Sequence, residues 1–317
     1  MTTAESHALT VAVGDGELLT DVRLDPAPAA EIIFWRLDDL LPAAVDPASV
    51  DVVVAPHFYV DPAGFSRLHE LPSLRVVQLP SAGFEYALAA MPPGIMLCNA
   101  RGVHDAGTAE LAVGLLLAMQ RGIVDAVEAK REHRWSSVTR SSLADRRVMV
   151  LGYGSIGSAL ARRLDAFEVD VVAVASSARV EDRPVHALDE LPMLLPSVDA
   201  VVLLVPLSDV TRHLVDAAFL AALPDGALVV NMARGAVVET DALVAELESG
   251  RLRAALDVTD PEPLPAEHPL WDAPNLLITP HVGGRTDATR PRFASLVRSQ
   301  IERLAAGKDP LNVVART

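Results

Sequence analysis

The segment RVMVLGYGSIGSALARRL, residues 147–164, constrains this chain more than any other. A run of branched and apolar residues stops at a glycine. Gly152, Gly154 and Gly157 then follow at G-x-G-x-x-G spacing, and a helix-forming stretch begins at once. A strand that feeds straight into a helix returns to its sheet by a right-handed crossover, which leads to parallel α/β architecture. The spacing also has a chemical reading. Gly152 permits the tight turn, Gly154 lets a pyrophosphate approach the backbone, and Gly157 lets the helix pack close to the strand. Free N–H groups at Ser155, Ile156 and Gly157 then face the phosphates. The alternative is a strand–helix turn with no ligand; the elements on either side favour a bound dinucleotide.

The same alternation fills the rest of the chain. Runs rich in Val, Leu and Ile at 9–13, 51–55, 75–79, 147–151, 169–175, 199–205, 227–231 and 275–279 are predominantly apolar, as expected of strands covered on both faces. They exceed what one comfortable sheet needs, so two doubly wound parallel-sheet α/β domains are predicted. The segment 104–133 should link them through a helix apolar nearly all round, buried between domains or between subunits. A last helix over about 287–306 carries Phe293, Leu296, Val297, Ile301 and Leu304 on one stripe and should stop at Gly307. Its return to the first domain would make that domain discontinuous.

In a dinucleotide-binding unit an acidic residue about 20 positions past the glycines binds the adenine ribose. This chain has VASSARVEDR there instead. Ser176, Ser177 and Arg179 would welcome a 2′-phosphate that a carboxylate would repel, so NADP is expected as the preferred cofactor and NAD as the alternative. The competing reading pairs Arg179 with Glu181 or Asp182 on the surface.

Three polar residues each follow the carboxyl end of a strand-like run, the edge where open α/β sheets bind ligands. They are Arg234 in NMARGAVVE, Glu262 in LDVTDPEPLP and His281 in LLITPHVGG. Together they suit hydride transfer to a 2-oxo acid. Arg234 grips the carboxylate and polarises the carbonyl, His281 supplies the proton, and Glu262 favours the imidazolium. His57, in APHFY, also follows a strand. No metal-ligand spacing occurs, and Cys98, the single cysteine, reads as a buried small hydrophobe in a reducing cytoplasm. A formal net charge of -15 argues against nucleic acid as a partner. The N-terminus carries no signal-peptide pattern, and the apolar run 111–119 is too short to span a membrane.

The segments TAELAVGLLLA, VLGYGSIGSALARRL, VPLSDVTRHLV, NMARGAVVETDAL, ALDVTDPEPLP and ITPHVGG resemble those of the D-isomer-specific 2-hydroxyacid dehydrogenases. The likeness covers nearly the whole chain and is tightest over 99–284. It implies a Rossmann-type nucleotide domain (100–284) and a smaller flavodoxin-like substrate domain (1–99 plus 285–317), with a cleft between. By resemblance, Arg234, Glu262 and His281 are the catalytic set, and Thr108, Pro206, Thr211, Ala233 and Asp257 join the glycine turn in holding the cofactor. The loop LPSAGFE would bind the substrate carboxylate through the backbone of Ala82 and Gly83, with Phe58 and Tyr59 bordering the site. Relatives are usually homodimers joined around residues 100–145, where Trp135 reads as structural.

The end of the second nucleotide strand departs from the NAD-using pattern and is closer to the glyoxylate and hydroxypyruvate reductases. Reduction of such a small 2-oxo acid is therefore expected, with a bulkier oxo acid as the alternative. A phosphoglycerate dehydrogenase is disfavoured by the short C-terminal extension, and a formate dehydrogenase by Glu262, where that branch carries Gln. A reading of another class is a dinucleotide-sensing corepressor that turns over little.

Overall fold

The computed structural model describes residues 9–23, 30–56 and 62–317. His57, Phe58 and Tyr59 lie outside them. The chain divides into two compact units, Met1–His104 with Asp287–Thr317, and Asp105–Thr286.

The first unit is built on strands β1 (Thr10–Val13), β2 (Glu31–Phe34), β3 (Val52–Val54), β4 (Val76–Gln78) and β5 (Met96–Cys98), with a C-terminal strand Val313–Arg316. Its sheet runs C-terminal strand–β5–β4–β3–β1–β2. β1 to β5 are parallel in the flavodoxin order 2-1-3-4-5. The C-terminal strand pairs antiparallel with β5, so this sheet is not wholly parallel as predicted. That strand closes the β5 edge, which would otherwise present unpaired backbone groups.

Alternation along the strands splits the core between the two faces. Val11, Val13, Val52 and Val54 pack under the helices Gly16–Arg23 and Thr289–Ala305; Ala12, Val53 and Val77 face Trp35, Phe65 and Leu68 on the other side. The last helix buries Phe293, Val297, Ile301 and Leu304 as its stripe predicts, and Gly307 follows it with φ +67°. Sequence periodicity gives no sign of Gln78 and Gln300. Both are buried, and the Gln300 amide donates to Gln78 Oε1 at 2.7 Å, which ties helix to sheet. Cys98 is fully buried in β5, and burial pushes its thiol up to about 11, so it is inert at neutral pH.

The second unit contains β6 (Arg147–Leu151), β7 (Asp170–Ala175), β8 (Arg179–Val180), β9 (Pro184–Ala187), β10 (Ala200–Leu203), β11 (Leu228–Asn231), β12 (Arg253–Leu256) and β13 (Leu276–Ile278). The order is β13-β12-β11-β10-β6-β7-β9-β8. All pairs are parallel except β8 with β9, an antiparallel hairpin at the edge. From β9 to β12 this is the doubly wound order 3-2-1-4-5-6, with its switch point between β6 and β10. Met149 and Leu151 pack on one face, Val148 and Val150 on the other.

The helix Asp105–Arg121 lies on the second face, burying Ala109, Ala112, Val113, Leu115 and Leu116. It ends where Gly122 adopts φ 60°, and Ile123–Arg131 starts a separate helix, so the long linking segment is two helices. Among the described residues no helix is long and apolar enough to cross a membrane.

Candidate active site

The carboxyl edge of the second sheet gathers most of the residues singled out above. β6 ends at Leu151 and the chain turns at Gly152, whose φ is +112°. A Cβ on Gly152 would sit 2.4 Å from the Leu204 carbonyl carbon, and one on Gly157 would sit 2.3 Å from Gly152 O. Both positions therefore demand glycine for packing. Gly154 differs: a Cβ there meets nothing within 4 Å. The space above it is open, at the start of the helix Ser155–Asp165, whose first N–H groups have no carbonyl one turn back within the helix. A pyrophosphate fits that cradle. The Ser155 hydroxyl donates to Asp105 Oδ1 at 3.2 Å.

Past β7 the chain turns through Ser176 and Ser177, both exposed, and neither hydroxyl has a partner among the described residues. Arg179 on β8 reaches back over the glycine turn. Its Nη2 donates to Tyr153 O at 2.7 Å and its Nε to Glu181 Oε1 at 2.5 Å. Pairing with Glu181, one of the two alternatives for Arg179, is thus present. Asp182 does not pair with Arg179. The Tyr153 hydroxyl donates to it, 2.9 Å from each carboxylate oxygen, and holds the Asp182 carboxyl below its ordinary value. Burial and that carboxylate together push the Tyr153 phenol up. Both acidic residues of the turn are thus engaged within the protein.

β11, β12 and β13 are consecutive neighbours in the sheet, so the loops leaving them lie side by side. The first carries Arg234. Asn231, buried at the end of β11, shapes this turn: its Oδ1 accepts from Ala233 N and its Nδ2 donates to Arg234 O, both at 3.0 Å. Arg234 Nη1 donates to the Ala233 carbonyl at 2.7 Å. Gly235 lets this turn press against the next loop, because a Cβ there would fall 1.9 Å from Thr259 O. Sequence reasoning missed both Asn231 and Gly235. Their signals are a polar residue ending an apolar strand and a glycine directly after the candidate arginine.

The second loop carries Glu262 and the third His281. Glu262 Oε1 lies 2.5 Å from His281 Nδ1, and both side chains are about half exposed. A carboxylate only accepts, so Nδ1 carries the hydrogen and Nε2 is left for a substrate. His281 has φ +52°, a conformation that a non-glycine residue adopts only when its surroundings hold it. Its N–H is shared between Asp257 O (2.8 Å) and Thr279 O (3.0 Å). The Asp257 carboxylate, only 3% exposed, accepts from Thr279 Oγ1 at 2.6 Å and from Val282 N and Gly283 N at 2.9 Å each. Asp257 therefore fastens the histidine loop to β12.

Other residues expected to hold a cofactor flank this edge. Thr211 is buried, and its hydroxyl donates to Pro206 O at 2.6 Å, so it shapes the loop after β10. Thr108 is buried with its methyl beside Gly283, and Ala233 is buried after β11. In the first unit, Asn99 Nδ2 donates to Ala82 O and Ser81 Oγ to Gly83 O. The N–H groups of Ala82 and Gly83 make no hydrogen bond among the described residues. A depression of about 360 Å³ in the second unit, lined by Gln120, Arg146, Asp199 and Arg253, lies at the amino edge of the sheet and holds none of these residues. Among the described residues no group of three or more His, Cys, Asp or Glu is arranged to hold a metal ion.

Residues 113–283 match the D-isomer specific 2-hydroxyacid dehydrogenase family, NAD binding domain. The chain is 34% identical over 251 residues to a glyoxylate reductase of Thermofilum pendens, covering 75% of this chain and 74% of that one. It is similar to the structure of a D-isomer specific 2-hydroxyacid dehydrogenase from Xanthobacter autotrophicus in complex with NADPH, with 30% identity, a TM-score of 0.83 and coverage of 98% and 99%. It is also similar to an NADPH-dependent glyoxylate/hydroxypyruvate reductase of Sinorhizobium meliloti in complex with NADP and sulfate. There the identity is 27%, the TM-score 0.82 and the coverage 97% and 98%.

Proposed function

The chain belongs to the D-isomer specific 2-hydroxyacid dehydrogenase family, and from that membership we propose that it reduces a small 2-oxo acid of glyoxylate or hydroxypyruvate size to the D-2-hydroxy acid. The observation that carries this reading is the 2.5 Å His281–Glu262 contact, one strand away from Arg234 on the edge that also bears the glycine turn. A reduced nicotinamide, when bound, supplies hydride to the carbonyl carbon. Arg234 holds the substrate carboxylate and draws electron density toward the carbonyl oxygen. His281 Nε2 delivers a proton to that oxygen as it gains charge. Glu262 accepts from Nδ1, fixing the ring's tautomer and orientation through the transfer.

The preferred cofactor in this reading is NADP, with NAD second. Support comes from the unpartnered hydroxyls of Ser176 and Ser177, from Arg179 lying over the glycine turn, and from the engagement of Asp182 by Tyr153. A homodimer is supported by the apolar surface of Ile123, Val127, Trp135 and Val138, of which Trp135 is 97% exposed in the isolated chain. A reducing, cytoplasmic setting accords with one cysteine, buried and unpaired.

The test is His281→Asn, assayed by loss of reduced-nicotinamide absorbance with glyoxylate. Removing the proton donor should lower kcat by about 10²- to 10⁴-fold. NADPH affinity, read from its fluorescence, should hold. A variant that turns over like wild type would remove His281 from the chemistry.

A further inference from the structure

The hairpin of β8 and β9 carries the selectivity region and is pinned at both ends. Arg183, in its turn, holds Asp165 with Nη2 at 2.7 Å and Nη1 at 3.2 Å and lies 6.0 Å from the centre of the Tyr153 ring. Tyr153 in turn holds Asp182. The tip is thereby fixed against the glycine turn, and Arg179 is presented over Tyr153 O. The one acidic side chain of the tip that reaches Arg179 is Glu181, at 2.5 Å, with both side chains more than a third exposed or close to it.

We propose that Glu181 is a cofactor-specificity residue: an internal carboxylate that occupies Arg179 when no 2′-phosphate is present and competes with that phosphate for the guanidinium. This rests on the NADP reading above. A 2′-phosphate arriving at Arg179 takes over the Nε hydrogen bond, and Glu181 must swing away into water. NADH brings no phosphate, so Arg179 keeps Glu181 and the pair is indifferent to that cofactor. Glu181 therefore lowers the NADPH preference below what Arg179, Ser176 and Ser177 would give without it. Asp182 exerts no such pull, because Tyr153 and Arg183 already hold it.

The test measures dissociation constants of NADPH and NADH, without substrate, on full-length wild type, Glu181→Gln, Arg179→Gln and the double variant. An exposed ion pair contributes little, so Glu181→Gln should tighten NADPH about two- to five-fold, with NADH unchanged. Arg179→Gln should weaken NADPH selectively, and in its background Glu181→Gln should have no further effect. If Arg179→Gln weakens NADPH selectively but Glu181→Gln leaves the NADPH-to-NADH ratio unchanged, Glu181 has no part in selection and the proposal falls alone. Equal tightening or weakening of both cofactors by Glu181→Gln would also overturn it, since that marks a structural role; Glu181→Ala repeats the measurement with a smaller side chain. If Arg179→Gln affects both cofactors equally, the NADP reading fails and takes the proposal with it.

Discussion

Replacing Asp257 by Asn keeps the shape of the side chain and removes its ability to accept on both sides. The native carboxylate accepts from Thr279 Oγ1, Val282 N and Gly283 N in a site that is only 3% exposed. With the amide oxygen kept toward Thr279 and Val282, the NH₂ group faces the Gly283 N–H, donor against donor. Hydrogen bonds to charged groups contribute about 1.5–3 kcal/mol, and a buried unsatisfied donor costs about 1–3 kcal/mol. The weakened pair and the orphaned N–H together give a loss of about 3 kcal/mol. In a unit of this size, that is a fall of roughly 6–12 °C in Tm. His281 sits directly before these two amides, and its own N–H is bonded to Asp257 O at 2.8 Å. Loosening the loop displaces His281, the proposed proton donor, and a misplacement of about 1 Å costs about 10²-fold in rate. Thermal unfolding and kcat on the same preparation test this. A variant with unchanged Tm and a lowered kcat would refute it, because Asp257 would then act on a ligand and not on the loop.

The glycines separate by role. Gly157→Ala forces a Cβ to within 2.3 Å of Gly152 O and should sharply lower stability, whereas Gly154→Ala meets nothing within 4 Å and should leave Tm alone while weakening dinucleotide binding. Thermal scans with and without NADPH distinguish them. Asp182 titrates below its ordinary value because Tyr153 donates to it, so its stabilising contribution is present above the usual carboxylate range and lost as pH falls through its folded value. Tyr153→Phe should flatten the acid limb of the stability–pH curve, and an unchanged limb would show the pair to be idle. Cys98, with its thiol pushed up to about 11 inside β5, should resist thiol reagents at neutral pH until the chain unfolds; rapid native labelling would contradict its burial.

The strands that were legible in the sequence are the Val-rich ones, because a strand buried on both faces has no choice but to be apolar. β2 (EIIF) and β5 (MLC) carry no valine to mark them, and β12 (RAAL), half alanine and of little strand preference, shows only as the short strand-like run before Glu262. The C-terminal strand (VVAR) offers two valines, but nothing local marks it as antiparallel; only the β5 edge calls for that pairing. Arg234, Glu262 and His281 stood out because each follows a strand and carries chemistry. What positions them did not. Asn231 and Asp257 act through hydrogen bonds to backbone groups that are near them only after folding. The Tyr153–Asp182 contact joins residues 29 apart, so VASSARVEDR alone could not show which acid was engaged.

The most direct measurement is the initial rate of NADPH and NADH oxidation by the wild-type chain with glyoxylate, hydroxypyruvate, phenylpyruvate and 2-oxoisocaproate, with chiral analysis of the product. Turnover of glyoxylate and hydroxypyruvate well above the two bulky acids, faster with NADPH, and D-glycerate from hydroxypyruvate, is the result expected here. Tight dinucleotide binding without turnover of any of the four acids would contradict the catalytic role of the His281–Glu262 pair.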